Sequence, residues 1–200
     1  MDQNEGSFFN HFPLSERIRD GFVIAIPTDT LPALAVAPEN ASKLWEIKKR
    51  SHEKPLILMG ANSKDLFKNV ANSSLKDAYL MAEKYWPGPL TMVLPANGIV
   101  VSALNKKDRT IGVRVPACKS ALDLFKITGP LATTSANISG IPALTSPKEI
   151  LDAFPDISIL NPVQWTIASG VASTVISWQK EGSWKLLREG SLNLDIDFEK

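Results

Sequence analysis

Three short apolar runs in this chain each stop at a proline: Phe22-Val23-Ile24-Ala25-Ile26 before Pro27, Leu90-Thr91-Met92-Val93-Leu94 before Pro95, and Ile111-Gly112-Val113-Arg114-Val115 before Pro116. Runs of this length and β-branched content read as buried strands, and proline ends them because it has no amide hydrogen to give to a ladder. Pro55 to Met59, Leu131 to Thr134, Ser173 to Ile176 and Trp184 to Leu187 read the same way, and Leu34-Ala35-Val36 pairs near the first run. Between them the period changes. Ala41, Leu44, Trp45 and Ile47 recur at helical spacing between Glu39 and Arg50, with Asn40 or Ser42 able to open the helix. Leu75, Ala78, Tyr79, Ala82 and Trp86 share one helical face from Ser74 to Trp86, and Trp86-Pro87-Gly88-Pro89 must end it. Ala121 to Ile127 and Pro147 to Phe154 are further helices, the last opened by proline at its first turn, whereas Asn97 to Arg109 reads as an irregular connection. Strands and helices alternate without a strict βαβ rhythm, which predicts an α/β fold on a mixed sheet.

Composition narrows the class. In 200 residues, 44% hydrophobic and 22% charged content is that of a globular domain, not of a disordered or fibrous chain. The expected organisation is one domain over 8–194, with residues 1–7 and 195–200 loosely held. No apolar run approaches a membrane span, and the polar, acidic start Met1-Asp2-Gln3-Asn4-Glu5-Gly6 has no secretory character, so the expected location is cytoplasmic. Cys118 is the only cysteine, and His11 and His52 have no partner at metal-ligand spacing, so no protein metal site is expected. A net charge of +1 lacks the basic excess usual in nucleic-acid binders.

The polar chemistry is concentrated. Thr133-Thr134-Ser135-Ala136-Asn137-Ile138-Ser139-Gly140 puts five hydroxyl or amide side chains directly after apolar Gly129-Pro130-Leu131-Ala132. In open α/β sheets ligands collect at the carboxyl ends of strands, although the same residue types also serve as ordinary caps and turns. Pro27-Thr28-Asp29-Thr30 places two hydroxyls and a carboxylate after another strand. Lys48, Arg50 and Lys54 lie within seven residues of one another at a helix end, where they can converge on a polyanion or simply complement the helix dipole. Arg114 interrupts an apolar strand, where a guanidinium needs an anionic partner or the edge of a cleft. Neither GxxxxGK[ST] nor GxGxxG occurs, so a nucleotide would have to be held by side chains. No activated Ser, Cys or His nucleophile stands out, which favours a reaction whose substrates supply the nucleophile while the protein supplies position and charge.

Taken in order, Pro27-Thr28-Asp29-Thr30, Lys48-Lys49-Arg50, Lys54-Pro55-Leu56-Ile57, Trp86-Pro87-Gly88-Pro89-Leu90-Thr91, Val113-Arg114-Val115-Pro116, Thr134-Ser135-Ala136-Asn137-Ile138-Ser139-Gly140, Ser173-Thr174-Val175 and Arg188-Glu189-Gly190 resemble the YrdC/TsaC family from about residue 14 to 190. The resemblance implies a YrdC-like twisted mixed sheet with flanking helices and a concave, positively charged site. It implies a threonylcarbamoyl-AMP synthase, which makes threonylcarbamoyl-adenylate and pyrophosphate from L-threonine, bicarbonate and ATP with Mg²⁺. That product feeds the transfer machinery that modifies the adenosine beside the anticodon of tRNA. By resemblance Lys48 and Arg50 are catalytic, and Lys48, Arg50, Lys54, Thr110, Ser135, Asn137, Thr145, Ser173 and Arg188 hold ATP. Thr30 and Arg114 hold threonine, Arg114 through the substrate carboxylate. Three positions depart from the family pattern: Pro32-Ala33-Leu34 stands for Tyr-Gly-Leu, Ser51 for a proline and Met59 for a histidine. At 200 residues the chain is expected to be of the short, single-domain type. Two other readings follow from the same residues: a module binding double-stranded RNA or tRNA through its phosphates, and a paralogue that binds nucleotide without turnover.

Overall fold

The computed structural model describes residues 8–138, 140–161, 165 and 169–199. Ser139, residues 1–7 and Lys200, on which parts of the motif and of the loose-terminus expectations fall, lie outside the described residues.

Ten strands form one mixed sheet: β1 (Phe8–Phe9), β2 (Ile24–Ile26), β3 (Ala33–Val36), β4 (Ile57–Met59), β5 (Leu90–Pro95), β6 (Thr110–Arg114), β7 (Leu131–Ser135), β8 (Ser158–Leu160), β9 (Thr174–Lys180) and β10 (Ser183–Arg188), in the order β1-β8-β2-β3-β7-β4-β6-β5-β9-β10. Pairings β1/β8, β2/β8, β4/β6 and β5/β9 are parallel and the rest antiparallel. Among the described residues seven α-helices flank it: α1 (His11–Arg19), α2 (Ser42–Ile47), α3 (Ser63–Leu66), α4 (Asn72–Tyr85), α5 (Ile99–Leu104), α6 (Lys119–Thr128) and α7 (Pro147–Ala153). Among the described residues no helix is long and apolar enough to cross a membrane.

Strand alternation divides the core. Ala25 and Leu34 join the cluster of Leu44, Trp45, Leu58 and Met92 on one face, while Ile24, Ile26, Ala33, Ala35 and Leu131 join α1 and α6 residues Leu14, Ile18, Leu124 and Phe125 on the other. A sheet covered on both faces needs strands apolar throughout, and β2 and β3 are buried at every position. Local signals set the helix ends. Ser146 accepts from Glu149 N and the Glu149 carboxylate answers Ser146 N, a reciprocal cap before Pro147, and Gly129 turns the chain out of α6 at φ 77°.

Several segments differ from the sequence reading. The connection from Asn97 to Arg109, expected to be irregular, holds α5, because Val101 and Leu104 are spaced to bury together although the β-branched run Ile99-Val100-Val101 masks the period. The short strands β1 and β8 and the helix α1 were not expected; α1 is fixed by tertiary burial of Leu14 and Ile18 on a polar sequence. The tail from 195, expected to be loose, is tied at one point: Phe198 pairs with Trp184, and Glu199 N donates to Trp184 O at 2.9 Å.

Candidate active site

Pairing brings distant segments to one place. β7 lies between β3 and β4, with Ser135 opposite Ala33 and Thr133 opposite both Ala35 and Ile57. The carboxyl end of β7 thus meets the turn after β2 and the loop after α2, because α2 runs back over the sheet and delivers Lys48 as its terminal cap.

Lys48 is 2% exposed. Its Nζ donates to Ser135 O at 2.5 Å and Asn137 Oδ1 at 2.9 Å, with Thr134 Oγ1 and Ser135 Oγ both at 3.3 Å. Ser135 Oγ donates to the same Asn137 oxygen at 2.7 Å, so the strand end, the amide and the ammonium form one network. Burial, then the Arg50 and Lys54 cations, pulls the Lys48 ammonium from 10.5 down to about 8. Arg50 Nη1 donates to Thr134 Oγ1 at 2.9 Å, and its buried Nε has no partner. Lys54 is exposed at the rim, its carbonyl held by Trp45 Nε1 at 2.9 Å.

On the other side of β7, Arg114 fans out from β6. Nε donates to Gly88 O at 3.1 Å, Nη1 to Thr30 Oγ1 at 2.8 Å and Nη2 to Asp29 Oδ1 at 2.6 Å. Thr28 Oγ1 donates to Leu31 O and accepts from Thr30 N, which folds the turn that presents Asp29 and Thr30. The buried guanidinium therefore has a counter-ion within the chain. The second hydrogens of Nη1 and Nη2 have no acceptor among these contacts. The C-terminal part closes the third side: Ser173 Oγ contacts Thr91 Oγ1 at 2.9 Å, and Arg188 donates to Ser173 O and Oγ at 2.9–3.1 Å.

Thr30, Arg50, Arg114, Ser135, Ser173 and Arg188 border one hollow of about 150 Å³, completed by Met59 and Thr133, while Lys48 and Asn137 reach it through Ser135. Two residues of the expected ATP set lie off this wall. Thr110 opens β6 and is held by Asn105 Nδ2, and Thr145 bonds Glu149 beside the cap of α7; neither is on the wall of the hollow. Thr134, absent from the expected site set, is the hydroxyl on which Lys48 and Arg50 meet; its signal was two threonines in an otherwise apolar strand. A larger groove of about 440 Å³ between α2 and the α7–β8 turn is mostly apolar and has no such convergence of polar groups.

Fold and site define an α/β protein in which cationic and hydroxyl side chains from separate segments border one hollow. The chain belongs to the Sua5/YciO/YrdC family: the model of that family, described as "Telomere recombination", matches residues 16–190. A threonylcarbamoyl-AMP synthase of Pyrococcus abyssi is 37% identical over 186 residues, covering 89% of this chain and 53% of its own length. The mouse protein of the same name is 30% identical over 182 residues, 86% of this chain and 64% of its own length, so the chain spans only about half to two-thirds of these relatives. The solved structure of P. abyssi Sua5 complexed with L-threonine superposes at a TM-score of 0.82 with 33% identity, over 90% of this chain and 54% of that one. Escherichia coli YciO, at 24% identity and a TM-score of 0.80 over 94% of this chain and 97% of its own, shares the fold.

Proposed function

We propose that this protein is a threonylcarbamoyl-AMP synthase acting in the cytoplasm. The observation that carries the reading is the meeting of Lys48 and Arg50 on Thr134, beside a hollow that also holds Thr30 and Arg114. The relatives named for that activity, and the threonine complex of one of them, support it. The amino acid occupies this hollow, and ATP lies across its mouth with its phosphates toward Lys48, Arg50 and Lys54.

Thr30 and the free hydrogens of Arg114 orient threonine. Its neutral amine attacks the carbon of bicarbonate, forming the N–C bond of a carbamate as water leaves. A carbamate oxygen then attacks the α-phosphorus of ATP in line, and the bond to pyrophosphate breaks. Negative charge moves onto the leaving phosphates, where Lys48 and Arg50 stand already oriented by Ser135, Asn137 and Thr134. Among the described residues no three His, Cys, Asp or Glu side chains cluster, and Asp29 is engaged by Arg114. Mg²⁺ therefore enters with ATP as part of the substrate, held by phosphate oxygens and water. The adenylate passes to the machinery that modifies tRNA.

The test is direct. Pure protein is incubated with ATP, Mg²⁺, bicarbonate and L-threonine or L-serine, and products are identified by mass spectrometry. Threonylcarbamoyl-adenylate and pyrophosphate are expected only when amino acid and bicarbonate are present together. Intact ATP in the complete mixture would end the proposal.

A further inference from the structure

Among the described residues Lys49 is the one non-glycine residue with a positive φ, 48°. The left-handed region brings Cβ against the following carbonyl, so residues other than glycine and asparagine enter it only where the surroundings hold them. What holds Lys49 is the end of α2: Lys49 N donates to Glu46 O at 3.0 Å and Arg50 N to Trp45 O at 2.9 Å, the paired bonds that close a helix through a left-handed residue. Trp45 is 1% exposed, and its indole nitrogen also donates to the carbonyl of Lys54, so one buried residue holds the segment that carries the cations twice, at Arg50 through its backbone carbonyl and at Lys54 through its side chain.

This geometry has a consequence for the site. Had Lys49 stayed right-handed, α2 would run on, and Lys48 and Arg50, two positions apart, would be about 200° apart around its axis. Instead both side chains reach Thr134 Oγ1, at 3.3 and 2.9 Å. Lys49 itself borders a different cavity, the apolar groove lined also by Phe22 and Phe154.

We propose that Lys49 is a positioning residue: its left-handed backbone turns the chain so that the cations before and after it converge on one anion. It touches no reacting atom in this scheme. Its influence is on the angle between Lys48 and Arg50.

The experiment compares Lys49→Val, whose β-branch opposes the left-handed region, with Lys49→Gly, which adopts it freely. Binding of inorganic tripolyphosphate by calorimetry reads the convergence alone. Kinetics of adenylate formation rest on the proposed function and are read separately. The valine variant is expected to bind tripolyphosphate roughly tenfold or more weakly and to lose kcat by a similar factor, with KM for threonine within about twofold, because Thr30 and Arg114 lie on other elements. Glycine is expected to return both to within about threefold of the parent. If circular dichroism shows the valine variant unfolded, Lys49→Thr is compared in its place. A folded β-branched variant that binds tripolyphosphate like the parent overturns the inference, as does a glycine variant impaired as much as valine. A parent that binds tripolyphosphate but forms no adenylate refutes the proposed function and leaves the positioning role standing.

Discussion

Replacing Lys48 by methionine separates what the site does for catalysis from what it costs the fold. Methionine keeps an unbranched chain of similar length in the buried position and removes the charge. A fall from 10.5 to about 8 means that keeping this ammonium charged in the folded state costs about 3 kcal/mol relative to the unfolded chain. Between these two values the unfolded chain binds more protons than the folded one, so stability contributed by this position rises as pH rises through that window, and the cost is fully present below it. The parent should therefore gain about 3 kcal/mol on Lys48→Met between neutral pH and about pH 10.5, all other lysines titrating alike in both. Urea melts at the two pH values read the difference directly. Lost hydrogen bonds to Ser135 O and Asn137 shift both measurements by a constant and do not affect the slope. Activity should move the other way, with adenylate formation by the variant lower by about 10²–10³ at neutral pH. The parent should lose affinity for tripolyphosphate as Lys48 deprotonates above about pH 8. A stability difference independent of pH would show that Lys48 is not held charged against burial, and the reasoning would fail.

Three further outcomes follow from the same contacts. A side chain at Gly190 would place Cβ 2.4 Å from backbone atoms of Ala172, Ser173 and Thr174, so Gly190→Ala should push Ser173 away from Arg188, cost about 1–3 kcal/mol in a urea melt and raise the KM for substrate. Asp29→Ala leaves the Arg114 guanidinium, 2% exposed, without its counter-ion, which should cost about 3–5 kcal/mol, and L-threonine should raise the Tm of that variant more than that of the parent if its carboxylate takes the vacated place. Ser146→Ala removes one half of the reciprocal cap of α7 and should cost about 1 kcal/mol by thermal melt with the catalytic rate unaltered.

The apolar runs ending at Pro27, Pro95 and Pro116 were legible as strands because burial on both faces leaves an unbroken hydrophobic signature, and β2, β5 and β6 lie where they were expected. The strands β1 and β8 were hidden by brevity: two or three residues give no period to read, and their pairing depends on neighbours far along the chain. The cations at 48, 50 and 54 were visible as a cluster, but not their direction, which depends on the left-handed turn at Lys49 that a lysine does not advertise as a glycine would. Arg114 was recognised as needing an anion, yet the residue that meets the need, Asp29, is 85 positions away. Thr110 and Thr145 were placed by family spacing, which does not show their local partners Asn105 and Glu149.

The way the site is assembled explains why so few of its members neighbour one another in sequence. Lys48 and Arg50 come from the end of a helix, Thr134 and Ser135 from a central strand, Arg114 from the strand two places across, and Ser173 and Arg188 from the C-terminal pair β9 and β10. The anchors are carbonyls, hydroxyls and a carboxylate on β7 and on the connections that flank β2 and β9, so the cations are already bonded within the fold. Left to themselves, three cations so close repel, and after burial, the larger cause, the Arg50 and Lys54 charges lower the Lys48 value further. A polyanion relieves that repulsion, and in the proposed reaction the relief is largest when negative charge is concentrated on the departing pyrophosphate. In that reaction a site whose cations are satisfied by the leaving group favours the transition state over the ground state.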